Sequence, residues 1–134
     1  MMRNWVILGA GNLIRDLREA IAASNHKLEA IVINQPLTED LQKKIQAPII
    51  KLENFQFKAD LSYIFGFLNP AKETFLAGLK DHGFDFQSEY LGFENLIHPK
   101  AYLSADSYLG AGNYLGPMSV VAPGTRIGNF NYIN

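Results

Sequence analysis

The chain has 134 residues, with twelve Lys and Arg against thirteen Asp and Glu, a formal net charge of -1, and no cysteine. That balance gives no reason to expect a nucleic acid or an anionic membrane as partner, and the lack of thiols excludes disulfides, thiolate chemistry and the usual soft metal ligand. His26, His82 and His98 are scattered without metal-site spacing, and no apolar run reaches the length of a membrane span, so a metal-free cytoplasmic protein is expected.

Trp5-Val-Ile-Leu8 is a continuous apolar run suited to a strand buried on both faces, and it flows into Gly9-Ala-Gly11-Asn12. Leu13, Leu17, Ala20, Ile21 and Ser24 then fall on one face of a helix, and Leu28 to Ile33 reads as a second, parallel strand. Thr38 can cap a short helix running to Ile45, and Ala47 to Ile50 is a third short strand. Leu52 to Lys58 reads as a loop or helical turn, and Leu61 to Leu68 as the strongest strand. Asn69 as cap, Pro70 at the first helical position and Gly83 after the end bracket a helix whose Phe75, Leu76 and Leu79 face inward. Phe84 to Phe86 is expected to begin an edge strand.

From Ile97 onward the chain obeys a period of six. Ile97, Leu103, Leu109, Leu115, Val121, Ile127 and Ile133 take the first position, and Ala101, Ser107, Asn113, Ser119, Thr125 and Asn131, all small or short and polar, take the fifth. That period fits a parallel β-helix of hexapeptides, in which three short strands make one coil and residues eighteen apart stack. First and fifth positions point to the axis, and Asn113 under Asn131 could form an amide ladder. Gly110, Gly112, Gly116, Gly124 and Gly128 are placed near the bends. Tyr102, Tyr108, Tyr114 and Tyr132 at outward sixth positions serve either a protein contact or simply the strand preference of tyrosine.

Gly9-x-Gly11-x-x-Ile14 stands between a strand and a helix, where backbone N–H groups and the helix dipole can meet a phosphate; a plain tight turn is the lesser alternative. The third glycine of a dinucleotide turn is missing, and Asn34-Gln35 stands where an acid would hold a ribose, which argues against NAD. Ligands of open α/β sheets bind outside the carboxyl ends of the strands, here Gly9 to Asn12, Asn34-Gln35 and Asn69. His98 has no neighbouring acid and is read as structural, as are His26 and His82, each of which closes a helix where an imidazolium suits the dipole.

The Gly-Ala-Gly turn, the compact α/β part, the Leu96-Ile-His-Pro-Lys-Ala101 entry and the hexads ending Ile127-Gly-Asn-Phe-Asn-Tyr-Ile133-Asn134 together resemble one family. It is the bacterial sugar acyltransferases that include sialic acid O-acetyltransferases and the N-acetyltransferases of UDP-4-amino-sugars. The fold class expected is α/β: a small Rossmann-like parallel-sheet domain over residues 1–92, then the first two coils of a left-handed parallel β-helix over 93–134. The resemblance implies a nucleotide-sugar or sugar on the N-terminal domain, acetyl-CoA along the β-helix as acyl donor, and a homotrimer with active sites between subunits. Carried over by position, Gly9, Gly11 and Asn12 match the turn that approaches the substrate's phosphates, and Asn34 and Gln35 the strand end that faces the uridine or ribose.

Three departures from the family stand out. The family has a second glycine and a histidine where this chain has Asn12-Leu13, an aspartate where it has Asn34, and a general-base histidine in or after the coil that begins at Ile133. The expectation is therefore a fragment of a longer protein that lacks acetyl transfer alone. The competing expectations are a non-catalytic trimerising or nucleotide-sugar-binding module and, less well supported by Asn34, a nicotinamide-dependent enzyme.

Overall fold

The structure, a computed structural model, describes residues 2–67, 71–86, 88 and 90–134. The central strand is β1 (Asn4–Leu8), flanked by β2 (Lys27–Ile33) and β4 (Ser62–Phe65), with β3 (Ile49–Lys51) outside β2. All pairings are parallel, in the order β3-β2-β1-β4. The period of two explains how one strand serves two layers. Trp5 and Ile7 of β1 face the helix α1 (Ile14–Ala23) with its Leu17, Ala20 and Ile21. Val6 and Leu8 face Phe75 and Leu79 of α3 (Ala71–Leu79) together with Phe55, Phe84 and Phe93.

Local signals explain most element ends. The Thr38 hydroxyl accepts from the Leu41 N–H at 3.2 Å and opens α2 (Glu39–Lys44). A 3-10 turn, Lys80–His82, continues α3, and Gly83 closes it at φ +88. Leu68, Asn69 and Pro70, read above as strand end, cap and first helical residue, lie outside the described residues. The edge strand expected at Phe84 to Phe86 does not form. The open edge of β4 is taken instead by residues 92–94, where the Tyr63 N–H donates to Gly92 O at 2.9 Å and the Glu94 N–H to Tyr63 O at 3.4 Å.

Seven two-residue strands follow, β5 (Leu96–Ile97), β6 (Tyr102–Leu103), β7 (Tyr108–Leu109), β8 (Tyr114–Leu115), β9 (Val120–Val121), β10 (Arg126–Ile127) and β11 (Tyr132–Ile133). They form three separate parallel sheets, β5-β8-β11, β6-β9 and β7-β10, the three faces of the start of a left-handed β-helix. Register is eighteen residues throughout, with Ile97 on Leu115 on Ile133, Leu103 on Val121, and Leu109 on Ile127. The left-handed bend falls on the fourth position of the hexad, at Gly112, Met118, Gly124 and Phe130, so only two of the five coil glycines supply a positive φ. Gly110 serves another need, since a Cβ there would lie 2.2 Å from Asn129 Oδ1.

The amide ladder forms and begins one coil earlier than expected. Asn95 Oδ1 accepts from the Asn113 backbone N–H at 2.9 Å and its Nδ2 at 3.1 Å, and Asn113 Oδ1 does the same for Asn131 at 2.8 and 3.1 Å. Asn113 is fully buried, and its Nδ2 also donates to Gly128 O at 2.8 Å.

The coils share their cores with the α/β part. Tyr114 and Tyr132 stack at 4.9 Å and join the cluster of α1, so for these two tyrosines the contact lies within the chain. The Tyr132 hydroxyl donates to Asp16 on α1, and burial is the main cause that raises its pKa. Phe130 lies 5.2 Å from the rings of both Phe65 and Phe93. The buried Lys72 ammonium donates to Phe130 O, and burial lowers its pKa. His98 is buried at the first coil, its Nδ1 accepting from the Lys100 N–H at 3.0 Å.

His26 departs from expectation. Its Nδ1 accepts from the Arg3 backbone N–H at 2.9 Å, and burial, then the charge of Arg3, lowers its pKa, so the ring is held neutral instead of serving α1 as an imidazolium. Between the lowered folded value and the ordinary 6.5 the unfolded chain binds more protons, so stability rises with pH there and is lost on acidification. Urea unfolding at pH 7.5 and 5.5 is expected to show this loss, and His26→Gln to reduce it. Asn113→Ala is expected to cost about 2–4 kcal/mol, because several buried partners lose their bonds together, while Asn131→Ala, at an exposed rung, costs clearly less. Chemical denaturation of the two variants checks the order.

Candidate functional site

The carboxyl ends of β1, β2 and β4 meet at one edge. Gly9 N–H donates to Val32 O at 2.7 Å, Gly66 N–H to Leu8 O at 2.9 Å, and Leu13 N–H to Gly66 O at 3.2 Å. Phe67 then lies over the turn. A Cβ on Gly9 would lie 1.5 Å from Phe67 Cε1, and one on Gly11 would lie 2.4 Å from Phe67 Cβ and 2.5 Å from Gly66 O. Both glycines are thus required by close approach of the β4 exit, and Gly9 also by its φ of +97. Gly66 O has taken one of the N–H groups at the start of α1, and no side chain caps that helix.

Beside the turn is a cavity of about 350 Å³ that brings Gly11 together with Asn34 and Gln35, walled by Phe67, Leu41 and Thr74. Of the other residues singled out from the sequence, Gly9 is buried beneath Phe67, Asn12 is exposed and does not line the cavity, and Asn69 lies outside the described residues.

A larger cavity, about 580 Å³, opens on the far side of the β2–α2 loop and shares Ile33 to Leu37 with the first. Its wall adds Gln42 of α2, Lys51 and Glu53 around the end of β3, and Asp81 and His82 after α3. Among the described residues, the side chains of Asn34, Gln35, Gln42, Glu53 and Asp81 make no hydrogen bond or ion pair, and Nδ1 of His82 is buried without a partner. Concave surface, apolar walls and unengaged polar groups are the marks of a small-molecule site. No spacing in the sequence joins residues 42, 51–53 and 81–82, which only the folded sheet brings together. No group of three or more His, Asp or Glu among the described residues could hold a metal ion, and no helix among them is long and apolar enough to cross a membrane.

No protein-family profile matches the chain, and no curated protein matches it. Solved structures do. PerB from Caulobacter crescentus, in complex with CoA and GDP-perosamine, superposes with a TM-score of 0.71 at 23% identity over 98% of this chain and 59% of that one. The acetyltransferase domain of PglB from Neisseria gonorrhoeae, in complex with acetyl coenzyme A, gives 0.70 at 20% identity over 100% of this chain and 62% of that one. A perosamine N-acetyltransferase variant from Caulobacter crescentus with one histidine replaced by asparagine, again with CoA and GDP-perosamine, gives 0.72 at 24% identity over 98% and 60%. The likeness is one of fold, and this chain spans 59–62% of the length of those proteins.

Gly9→Ala is expected to destabilise the protein strongly, and Phe67→Ala to restore part of the loss in the double variant by removing the clashing ring. Gly11→Ala is expected to gain little from Phe67→Ala, because Gly66 O remains in its way. Thermal melts of the two cycles check the contrast.

Proposed function

We propose that this chain is the substrate-binding part and first β-helix coils of an acetyl-CoA-dependent acyltransferase acting on an amino or hydroxyl group of a nucleotide-sugar or sugar in bacterial glycan synthesis. One observation carries the reading. A sheet edge with a glycine turn, paired amides and an apolar groove is joined through shared cores to a hexapeptide β-helix, and that whole arrangement superposes on acetyltransferases holding CoA and, in PerB, GDP-perosamine.

In this reading the groove takes the nucleotide-sugar. Gly11 and the start of α1 face the phosphates, and Asn34 and Gln35 the ribose or base. Gly9 shapes the turn from beneath and Asn12 stands beside it, and the reading also assigns Asn69, outside the described residues, to the substrate. Acetyl-CoA lies along the β-helix. The acceptor nitrogen or oxygen attacks the thioester carbonyl, its proton passes to a general base, backbone N–H groups hold the oxyanion, and the C–S bond breaks to release the CoA thiol.

His98, which is buried, and His26, which is half-buried, already hold backbone N–H groups, so neither is assigned as that base. The reading places the base outside these 134 residues. It treats residues 1–92 as the substrate domain and 93–134 as the coil domain, and sets the protein in the cytoplasm without metal or NAD. It also makes the protein a homotrimer through the β-helix, which the outer face of Tyr102, Val120 and Met118 supports, since these are 57%, 69% and 79% exposed.

Calorimetry with nucleotide-sugars, CoA and NAD tests the reading. Nucleotide-sugar binding with silence toward NAD is expected. No ligand at all would favour the non-catalytic trimerising module. Light scattering is expected to give three times the chain mass of 15.0 kDa, and Tyr102→Ser with Val120→Ser to reduce it to one.

A further inference from the structure

The two cavities flank one loop and are unlike in charge. The smaller is lined by no charged side chain, and its Gly11 belongs to the turn that leads into the uncapped, positive end of the ten-residue helix α1. At the larger, the carboxylates of Glu53 and Asp81 outnumber the single cation, Lys51. A diphosphate is drawn to the first and repelled by the second, which fixes the direction of a nucleotide lying across Asn34 and Gln35: phosphates toward Gly11, base toward Glu53 and Asp81. The volume of about 580 Å³ is ample for a nucleoside, and Pro36, Leu37 and Leu52 give the ring apolar faces to lie against.

Resting on the nucleotide-sugar reading, we propose that this larger cavity is a base pocket selective for guanine, with Glu53 and Asp81 as its specificity-determining residues. The chemistry follows from donors and acceptors. An ionised carboxylate only accepts, and guanine presents N1–H and an N2 amino group side by side, a matched pair of donors. Uracil sets one N–H between two carbonyl oxygens, which a carboxylate repels. Adenine offers one amino group beside a ring acceptor. Neither Glu53 nor Asp81 is engaged by another side chain among the described residues, so both are available to a base without breaking an existing bond. Gln42, on the same wall, has an amide free to donate to guanine O6.

The test is calorimetric titration of the 134-residue chain with GDP, UDP and ADP, alone and as Glu53→Gln, Asp81→Asn and the double variant. Both positions are exposed, so the folded state should tolerate these near-isosteric changes, which a thermal melt verifies. GDP is expected to bind about tenfold or more tightly than UDP or ADP, and the double variant to lose that preference. UDP or ADP binding as tightly as GDP, or a GDP preference unchanged in the double variant, overturns the guanine pocket while leaving the nucleotide-sugar reading in place. Failure of all three nucleotides to bind overturns both.

Discussion

A three-sided prism of two-residue strands encloses very little, and this constraint organises the molecule. On the axis Leu115 and Val121 are buried, whereas Leu103, Leu109 and Ile127 are only half-buried. The coils gain the rest of their apolar burial by lending side chains to their neighbour: Leu96, Tyr114 and Tyr132 to the layer under α1, and Phe93, Ala111 and Phe130 to the aromatic layer on the opposite face of the sheet. The coils thus grip both faces of the sheet, which leaves little freedom for the two parts to move against one another.

The grip has local costs. Phe130 adopts φ +57, a conformation that costs a side-chain-bearing residue about 1–2 kcal/mol, and Lys72 brings a cation into an apolar setting where its partner is a carbonyl. The two compensate each other in part. The ammonium fixes the carbonyl of the strained residue and lies 5.9 Å from its ring, while the ring packs among Phe65, Phe93 and Tyr90. What this arrangement stabilises is the position of the β4 exit, where Phe67 lies across the Gly9 turn and one wall of the groove is set.

How far the sequence discloses this depends on the range over which each feature is encoded. The hexads are legible because a six-residue period sets an eighteen-residue register by arithmetic, and all of the expected stacks occur. Asn95 could have been placed on the ladder by the same arithmetic, but it precedes the first complete hexad. The Gly9 turn is legible as a turn, yet its reason is Phe67, a contact across the sheet that no local pattern announces. Tyr114 and Tyr132 are read correctly as outward; that α1 covers them is a matter of tertiary packing. The larger cavity draws on three separated segments, and none of Glu53, Asp81 or His82 carries a recognisable spacing. The expected edge strand at Phe84 failed because β-propensity does not say which segment reaches a free edge first.

The amide ladder has a direction. Asn95 offers its side-chain oxygen to Asn113, and Asn113 offers its own to Asn131, so each layer presents an acceptor to the one made after it. Each rung also reaches forward through its Nδ2, Asn95 to Gly110 O and Asn113 to Gly128 O, so the ladder can extend from its amino end, every new turn meeting an acceptor already in place and satisfying a donor that waits for it.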